Sequence, residues 1–301
     1  MSEIIFSAEF LHSIIRLSTP ILFATMATLL SDRAGVVNIS IEGTMLFASL
    51  MGVVGSAFSD SALIGVFCAV ISGMLFSAVL AFFHLKLETD IVLSGIALNL
   101  LASGLTIFIL FLLTGDKGVS TALSSKTVPE ISIPVLENIP VLGAAFSGHN
   151  ILTYAAFLCV ILVTFFLKKT KLGIYIRAVG ENASSIETAG ISVKAVRLKA
   201  LLLSGALAGL GGAFMSMGYV SMFTKDMVAG RGFIALAAEA MGRGVPVLSM
   251  LCALFFGFAD ALSNNLQLFN FPSELTRIMP YGFTIAALAL YAMRKQKSER
   301  E

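Results

Sequence analysis

Seven stretches of this chain, residues 14–30, 61–83, 91–113, 151–167, 198–220, 245–266 and 276–293, are apolar over lengths that can cross a bilayer, and nothing else restricts the fold as tightly. A spanning helix needs about 20 apolar residues, with a working range of roughly 17–25. Lipid offers no hydrogen bonds, so each run must satisfy its own backbone, and helices do this where open strands cannot. Two shorter apolar stretches, 43–57 and 232–241, are flanked by glycine, and Glu239 interrupts the second. They read either as broken or re-entrant helices lining a cavity or as thin complete spans. The expected fold is an all-α polytopic membrane protein of about 8–10 transmembrane helices, short or broken ones included. One short stretch in each half, beside longer ones, is also the pattern of an internal repeat. Residues 1–301 read as a single membrane-spanning domain.

Composition agrees with this. Only 13% of residues are charged, against roughly 25% in a soluble domain that must wet its whole surface. The net charge of +2 is too small to point to nucleic acid, so the partner implied is the lipid bilayer. Cys68, Cys159 and Cys252 each lie inside an apolar run and are odd in number, which fits small buried hydrophobes and neither disulfides nor a metal site. His12, His84 and His149 are scattered without ligand spacing, and no nucleophile–base cluster is visible. No metal, cofactor or catalytic residue is therefore expected. The first ten residues carry Glu3 and Glu9 and no basic start, so the first apolar run is expected to stay as an anchor.

Lys and Arg set the expected orientation, because basic loops stay in the cytoplasm. The tail with Arg294, Lys295, Lys297 and Arg300 is read as cytoplasmic, as is the loop 168–199. Threading nine segments back from that tail places Arg33, Lys86 and Arg243 inside. It places Arg16, Lys117, Lys126, Lys225, Arg231, Arg277 and the N-terminus outside. If one short stretch fails to cross, the N-terminus changes sides. The outer loop 114–150, with Pro129, Pro134 and Pro140, is either a lid or docking surface or a solvated connector.

Within the inner loop, 182–189 reads as a short helix. Asn182 is a competent N-cap, Gly190 suits the position after the C-cap, and Ile186 with Ala189 gives an apolar edge. Ser192 can cap the next helix into the membrane. Such a helix either contacts a cytoplasmic partner or floats on headgroups. At membrane depth lie Asn38 and Glu42, which would stack on one face if both were helical, together with Asn99, Glu239 and the group Asp260, Asn264 and Asn265. Polar groups in hydrocarbon face a cavity, a partner or the bundle interior. Gly205, Gly209, Gly211 and Gly212 form a small-residue face suited to close helix packing.

Three segments carry a resemblance: LLSDRAGVVNISIEGTMLFASL, LGIYIRAVGENASSIETAGISVKAVRLKALLLSGALAGLGGAF and GRGFIALAAEAMGRG. They resemble permeases of the branched-chain amino acid and ribose class of ABC importers, over roughly residues 20–290. Within that class they are most similar to nucleoside and simple-sugar permeases that work with lipoproteins of the basic membrane protein type. The resemblance implies a multi-pass permease of the bacterial cell (inner) membrane, paired with a second related permease subunit. It also implies a cytoplasmic ABC ATPase and an external substrate-binding lipoprotein. On that resemblance, Gly180, Glu181, Asn182, Ile186, Ala189 and Gly190 belong to the helix that couples to the ATPase. The chain has no GxxxxGK[ST] phosphate loop, so ATP would be hydrolysed on another subunit.

The membrane-depth residues Asn38, Glu42, Asn99 and Glu239 would then line the translocation pathway, hydrogen-bonding sugar hydroxyls or base edges. Alternatively they cap helices and hold subunit contacts. Phe47 and Phe108 could stack a base or simply pack. Glu239 departs from the apolar residue expected there in the family. The alternative function is an ion-coupled secondary transporter that works without an ATPase, with Glu42 or Glu239 as the coupling carboxylate.

Overall fold

A computed structural model describes residues 8–132, 142–267 and 282; the expected span 276–293 and the basic tail lie outside the described residues. Among the described residues the long regular elements are all helices; one two-residue ladder adds to them, in which β1 (Glu130–Ile131) pairs antiparallel with β2 (His149–Asn150). Seven described helices are long and apolar enough to cross a membrane.

The helices are α1 (Ala8–Asp32), α2 (Ile41–Ser59), α3 (Ala62–Ala81), α4 (Ile91–Thr114) and α5 (Ile151–Lys169), then α6 (Lys171–Glu181), α7 (Ala183–Thr188), α8 (Val193–Ala213), α9 (Arg231–Gly242) and α10 (Pro246–Gln267). A further single turn, Leu142–Phe146, precedes β2. Both α3 and α8 widen into π-helical turns at their ends, over Phe82–Lys86 and Phe214–Tyr219.

Starts and stops follow local chemistry. The side chains of Asp90, Asn150, Thr170, Asn182 and Ser192 each accept a backbone N–H from the first turn of the following helix. This satisfies donors that the helix itself cannot. Pro246 opens α10, where its missing N–H costs nothing.

One expectation changes here. The stretch 43–57 is not short: α2 runs for 19 residues from Ile41 to Ser59. By contrast, 232–241 does lie in a short helix, the 12-residue α9. At about 1.5 Å per residue it spans only about half of a bilayer core. Residues 220–230 supply the rest of that crossing as non-helical chain, bonded near its start to the outer loop through the Val119–Thr224 bridge and Lys225 N–H to Gly118 O.

Helix α1 is the hub, with 83% of its apolar stretch buried, while α4 is peripheral at 22%. Around α1 pack α8, α10, α9 and α5, and α3 lies against α2 and α8. Of the four glycines read from the sequence as one face, Gly205 and Gly209 make the α3–α8 crossing, whereas Gly211 and Gly212 face α1 and α2. A Cβ on Gly73 would strike the carbonyl of Gly205, and one on Gly209 would come 2.6 Å from the carbonyl of Ala69. Only glycine lets these backbones meet.

The two ends of the bundle are distinct. At one, Lys194 pairs with Glu88, Gly35 touches Gly180, and Arg33 reaches Gly244. Lys86, Arg33 and Arg243 thus share an end with the loop 168–192. At the other, Lys126 pairs with Asp60, Arg16 with the Tyr219 carbonyl, and Ser120 with Phe223. The first turn of α1 lies at this second end. Arg231 departs from its expected outer position: it starts α9 inside the bundle and is paired with Asp260 at 3.3 Å. Residues 115–132 pack onto the outer end through Ser56, Met217 and Phe223, so this part of the outer loop is more than a solvated connector.

Candidate functional site: a broken helix and an exposed inner loop

The break before α9 is organised by Glu42. One carboxylate oxygen accepts the Gly230 N–H and the other the Gly232 N–H, each at 2.7 Å. These N–H groups open α9 and have no partner within it, and the helix dipole adds about half a positive charge there. A carboxylate is the complementary cap. Gly232 must be glycine, because a Cβ would lie 2.7 Å from the Glu42 backbone. The two stretches marked as unusual in the sequence therefore meet N-terminus to N-terminus.

Asn38 is fully buried, but it precedes α2 and is not part of it, so it does not stack on Glu42 along one helix. Its amide donates to Ser77 and Ser204 at 3.2 and 3.0 Å, and its oxygen accepts from Ser40. Asn99 clamps α4 to the start of α2, accepting the Gly43 N–H at 2.8 Å and donating to the Ile39 carbonyl at 3.0 Å. Glu239 is buried in α9, with the Asp32 carboxylate and the Arg33 guanidinium as its charged neighbours. Arg33 in turn closes the far end of α9, donating to the carbonyls of Arg243 and Gly244 at 2.7–2.9 Å. Each of these four sequence-marked residues holds backbone or side chain of the bundle itself. Of the two phenylalanines, Phe47 stacks on Phe76 at 5.3 Å, and Phe108 is exposed.

The inner loop contains one helix that was not foreseen. α6, capped by Thr170, carries Ile176 and Val179 into the core and ends at Glu181. The short helix follows as read. Asn182 accepts the Ser185 N–H at 3.1 Å, Gly190 takes a left-handed φ of +81°, and the Ile191 N–H closes on the Ile186 carbonyl. Ile186 packs against the core, whereas Glu181, Asn182 and Thr188 to Gly190 are exposed. Gly180 seats the assembly, because a Cβ there would strike the Arg33 carbonyl.

At the outer end, His149 stacks on His12 at 3.8 Å, and its Nε2 lies 2.9 Å from the Ala145 carbonyl. Burial above all lowers its pKa from 6.5 to about 4; the bond to the Ala145 carbonyl opposes the drop, and the neighbouring His12 and Arg16 add to it. Among the described residues no group of three His, Cys, Asp or Glu could hold a metal.

The family model described as "Branched-chain amino acid transport system / permease component" matches residues 10–288. The chain belongs to this permease family. It is 34% identical to the nucleoside ABC transporter permease protein NupC of Lactococcus lactis, over 91% of this chain and 89% of that protein. It is likewise 34% identical to the guanosine ABC transporter permease protein NupQ of Bacillus subtilis, over 90% and 88%. A putative glucose ABC transporter permease of Haloferax volcanii is 32% identical, over 98% and 94%. Among solved structures, the fold is similar to that titled "An inward-facing conformation of a putative metal-chelate type ABC transporter", with a TM-score of 0.53 at 16% identity, covering 96% of this chain and 88% of that one. The chain is thus a multi-pass membrane permease of the ABC class. The ion-coupled carrier held open by hydropathy is set aside by this membership.

Proposed function

We propose that this permease carries a nucleoside across the membrane as one of two related subunits, receiving it from an external binding lipoprotein and driven by a separate cytoplasmic ABC ATPase. The observation that carries the coupling part is the exposed, individually capped α7, hung between two longer helices at the basic end of the bundle. A short rigid projection of this kind suits transmission of a push from a soluble partner. Gly180, Glu181, Asn182, Ile186, Ala189 and Gly190 form the projection and its roots. The missing phosphate loop is consistent with ATP hydrolysis on another chain. The nucleoside follows from the names of two relatives at 34% identity. The relative named for glucose favours a simple sugar as the second reading.

The test is uptake of radiolabelled guanosine in cells expressing this chain together with an ABC ATPase, a second permease and a binding lipoprotein from its own source. ATP-dependent uptake that unlabelled nucleosides compete and glucose does not is the expected result. Uptake by this chain alone in liposomes under an ion gradient would overturn the ATPase part. Competition by glucose alone would replace the substrate.

A further inference from the structure

The polar residues first marked at membrane depth are turned inward on the bundle, but a different set stays open at the same depth. Asp226 is exposed, and its carboxylate accepts the Ser103 hydroxyl at 2.9 Å. Ser103 lies at the middle of α4, which is 24 residues long, so this carboxylate lies within the depth of the membrane-spanning helices. A carboxylate facing hydrocarbon there is heavily penalised, and such groups face water or protein instead. The surface that bears Asp226 is therefore not a lipid face.

Seven residues on, in the first turn of α9, the Phe233 ring is 48% exposed although both neighbours, Gly232 and Ile234, are buried. The buried side of α9 is occupied by α1, α10 and α2, which leaves Phe233 on the open side. Two tight turns, Ala229 N–H to Asp226 O and Arg231 N–H to Val228 O, fold the intervening chain and bring Asp226 close to the start of α9, whose first turn carries Phe233. Asp226 and Ala229 hold left-handed φ values of 52° and 51° in that loop. For alanine this costs about 1 kcal/mol or more, a strain that the surrounding structure must sustain.

We infer that Phe233, Asp226 and Ser103 form a substrate subsite on the translocation path, with the base of a neutral nucleoside stacked on Phe233 and the ribose hydroxyls donated to Asp226. The inference rests on the nucleoside reading above and names the side chains that would carry it. Every nucleobase offers a π face, and an aromatic platform accepts bases with little regard to sequence. A carboxylate with one oxygen already fixed by Ser103 presents the other to a diol. The helix N-terminus beside it would otherwise attract a phosphate or carboxylate, but Glu42 already fills it. The site therefore favours an uncharged, hydroxyl-bearing solute over a nucleotide.

The experiment measures uptake kinetics in cells carrying the whole transporter, with membrane abundance and co-purification of the ATPase as controls for folding. Phe233→Leu is expected to raise the nucleoside KM by about five-fold or more, and Phe233→Tyr to restore it. A 2′,3′-dideoxynucleoside should compete poorly against wild type. Asp226→Asn should shrink that difference. In a background lacking Cys68, Cys159 and Cys252, Phe233→Cys should react with a membrane-impermeant maleimide, and nucleoside should slow the reaction. An unchanged KM in a well-assembled Phe233→Leu transporter, or a Cys at 233 that no aqueous reagent reaches, overturns the subsite. Wild-type uptake of sugar and no nucleoside instead overturns the substrate reading, and this assignment with it.

Discussion

Replacing Glu42 by alanine leaves the Gly230 and Gly232 N–H groups without acceptors at the mouth of α9, and the loss can be estimated from the geometry. Each bond is 2.7 Å long and made to a carboxylate. Hydrogen bonds to charged groups contribute about 1.5–3 kcal/mol, and an orphaned buried donor costs about 1–3 kcal/mol. Gly232 is buried and deserves the upper part of that range, while Gly230 is partly open and deserves the lower. The sum is about 3–4 kcal/mol for Glu42→Ala. Glu42→Gln keeps one acceptor oxygen but turns an NH2 group toward an N–H, so about half the loss is expected.

The assay is the thermal midpoint of the detergent-purified protein, followed by the monodisperse fraction remaining after heating. A drop of at least about 4 °C is expected for Glu42→Ala, with Glu42→Gln in between. Gly232→Ala attacks the same clamp by pushing Glu42 away, so the double variant should lose less than the sum of the two. An alanine variant that melts within about 1 °C of wild type, or strictly additive losses, would refute the capping argument.

Gly73→Ala should separate α3 from α8 at the Gly205 carbonyl, costing about 1–3 kcal/mol of overpacking and seen as a lower thermal midpoint; Gly104→Ala, with open space around it, is the silent control. Asn182→Ala removes the acceptor for the Ser185 N–H, loosening α7 by about 1 kcal/mol; substrate-stimulated ATP hydrolysis should fall while thermal stability of the membrane bundle does not. His149, with its pKa lowered from 6.5 to about 4, stays neutral when folded but would take up a proton when unfolded. Stability from this group is thus complete above pH 6.5 and is lost as pH falls from there toward about 4. A melting series over that range should slope less in His149→Asn.

Much of the architecture was legible because lipid imposes a simple rule on helices, and the apolar runs within the described residues obeyed it. The cap residues Asn182 and Ser192 and the glycine after α7 were also legible, since capping is decided within four residues. Two kinds of feature were not. α6 mixes Lys171, Tyr175 and Arg177 with its buried Ile176 and Val179, so no hydropathy run announces it. The role of Glu42 depends on Gly230, 188 residues away, and no local pattern encodes such a contact. The same distance hid the clamping roles of Asn38 and Asn99 and the pairing of Ser103 with Asp226. A signal for the open subsite did exist in the sequence: an aspartate and a phenylalanine bracketing a glycine-rich break, in the stretch DMVAGRGF.

The 12-residue length of α9 also has a consequence for biosynthesis. A segment that crosses only about half the hydrocarbon core, and enters it through irregular chain, cannot partition into lipid as an independent unit. It needs a receptor, and of the helices packed against it α1 and the head of α2 are made before it. The N-terminal helices must therefore be inserted and roughly arranged before residues 220–242 can leave the aqueous side. For this stretch, insertion is a docking event, gated by what the ribosome delivered first.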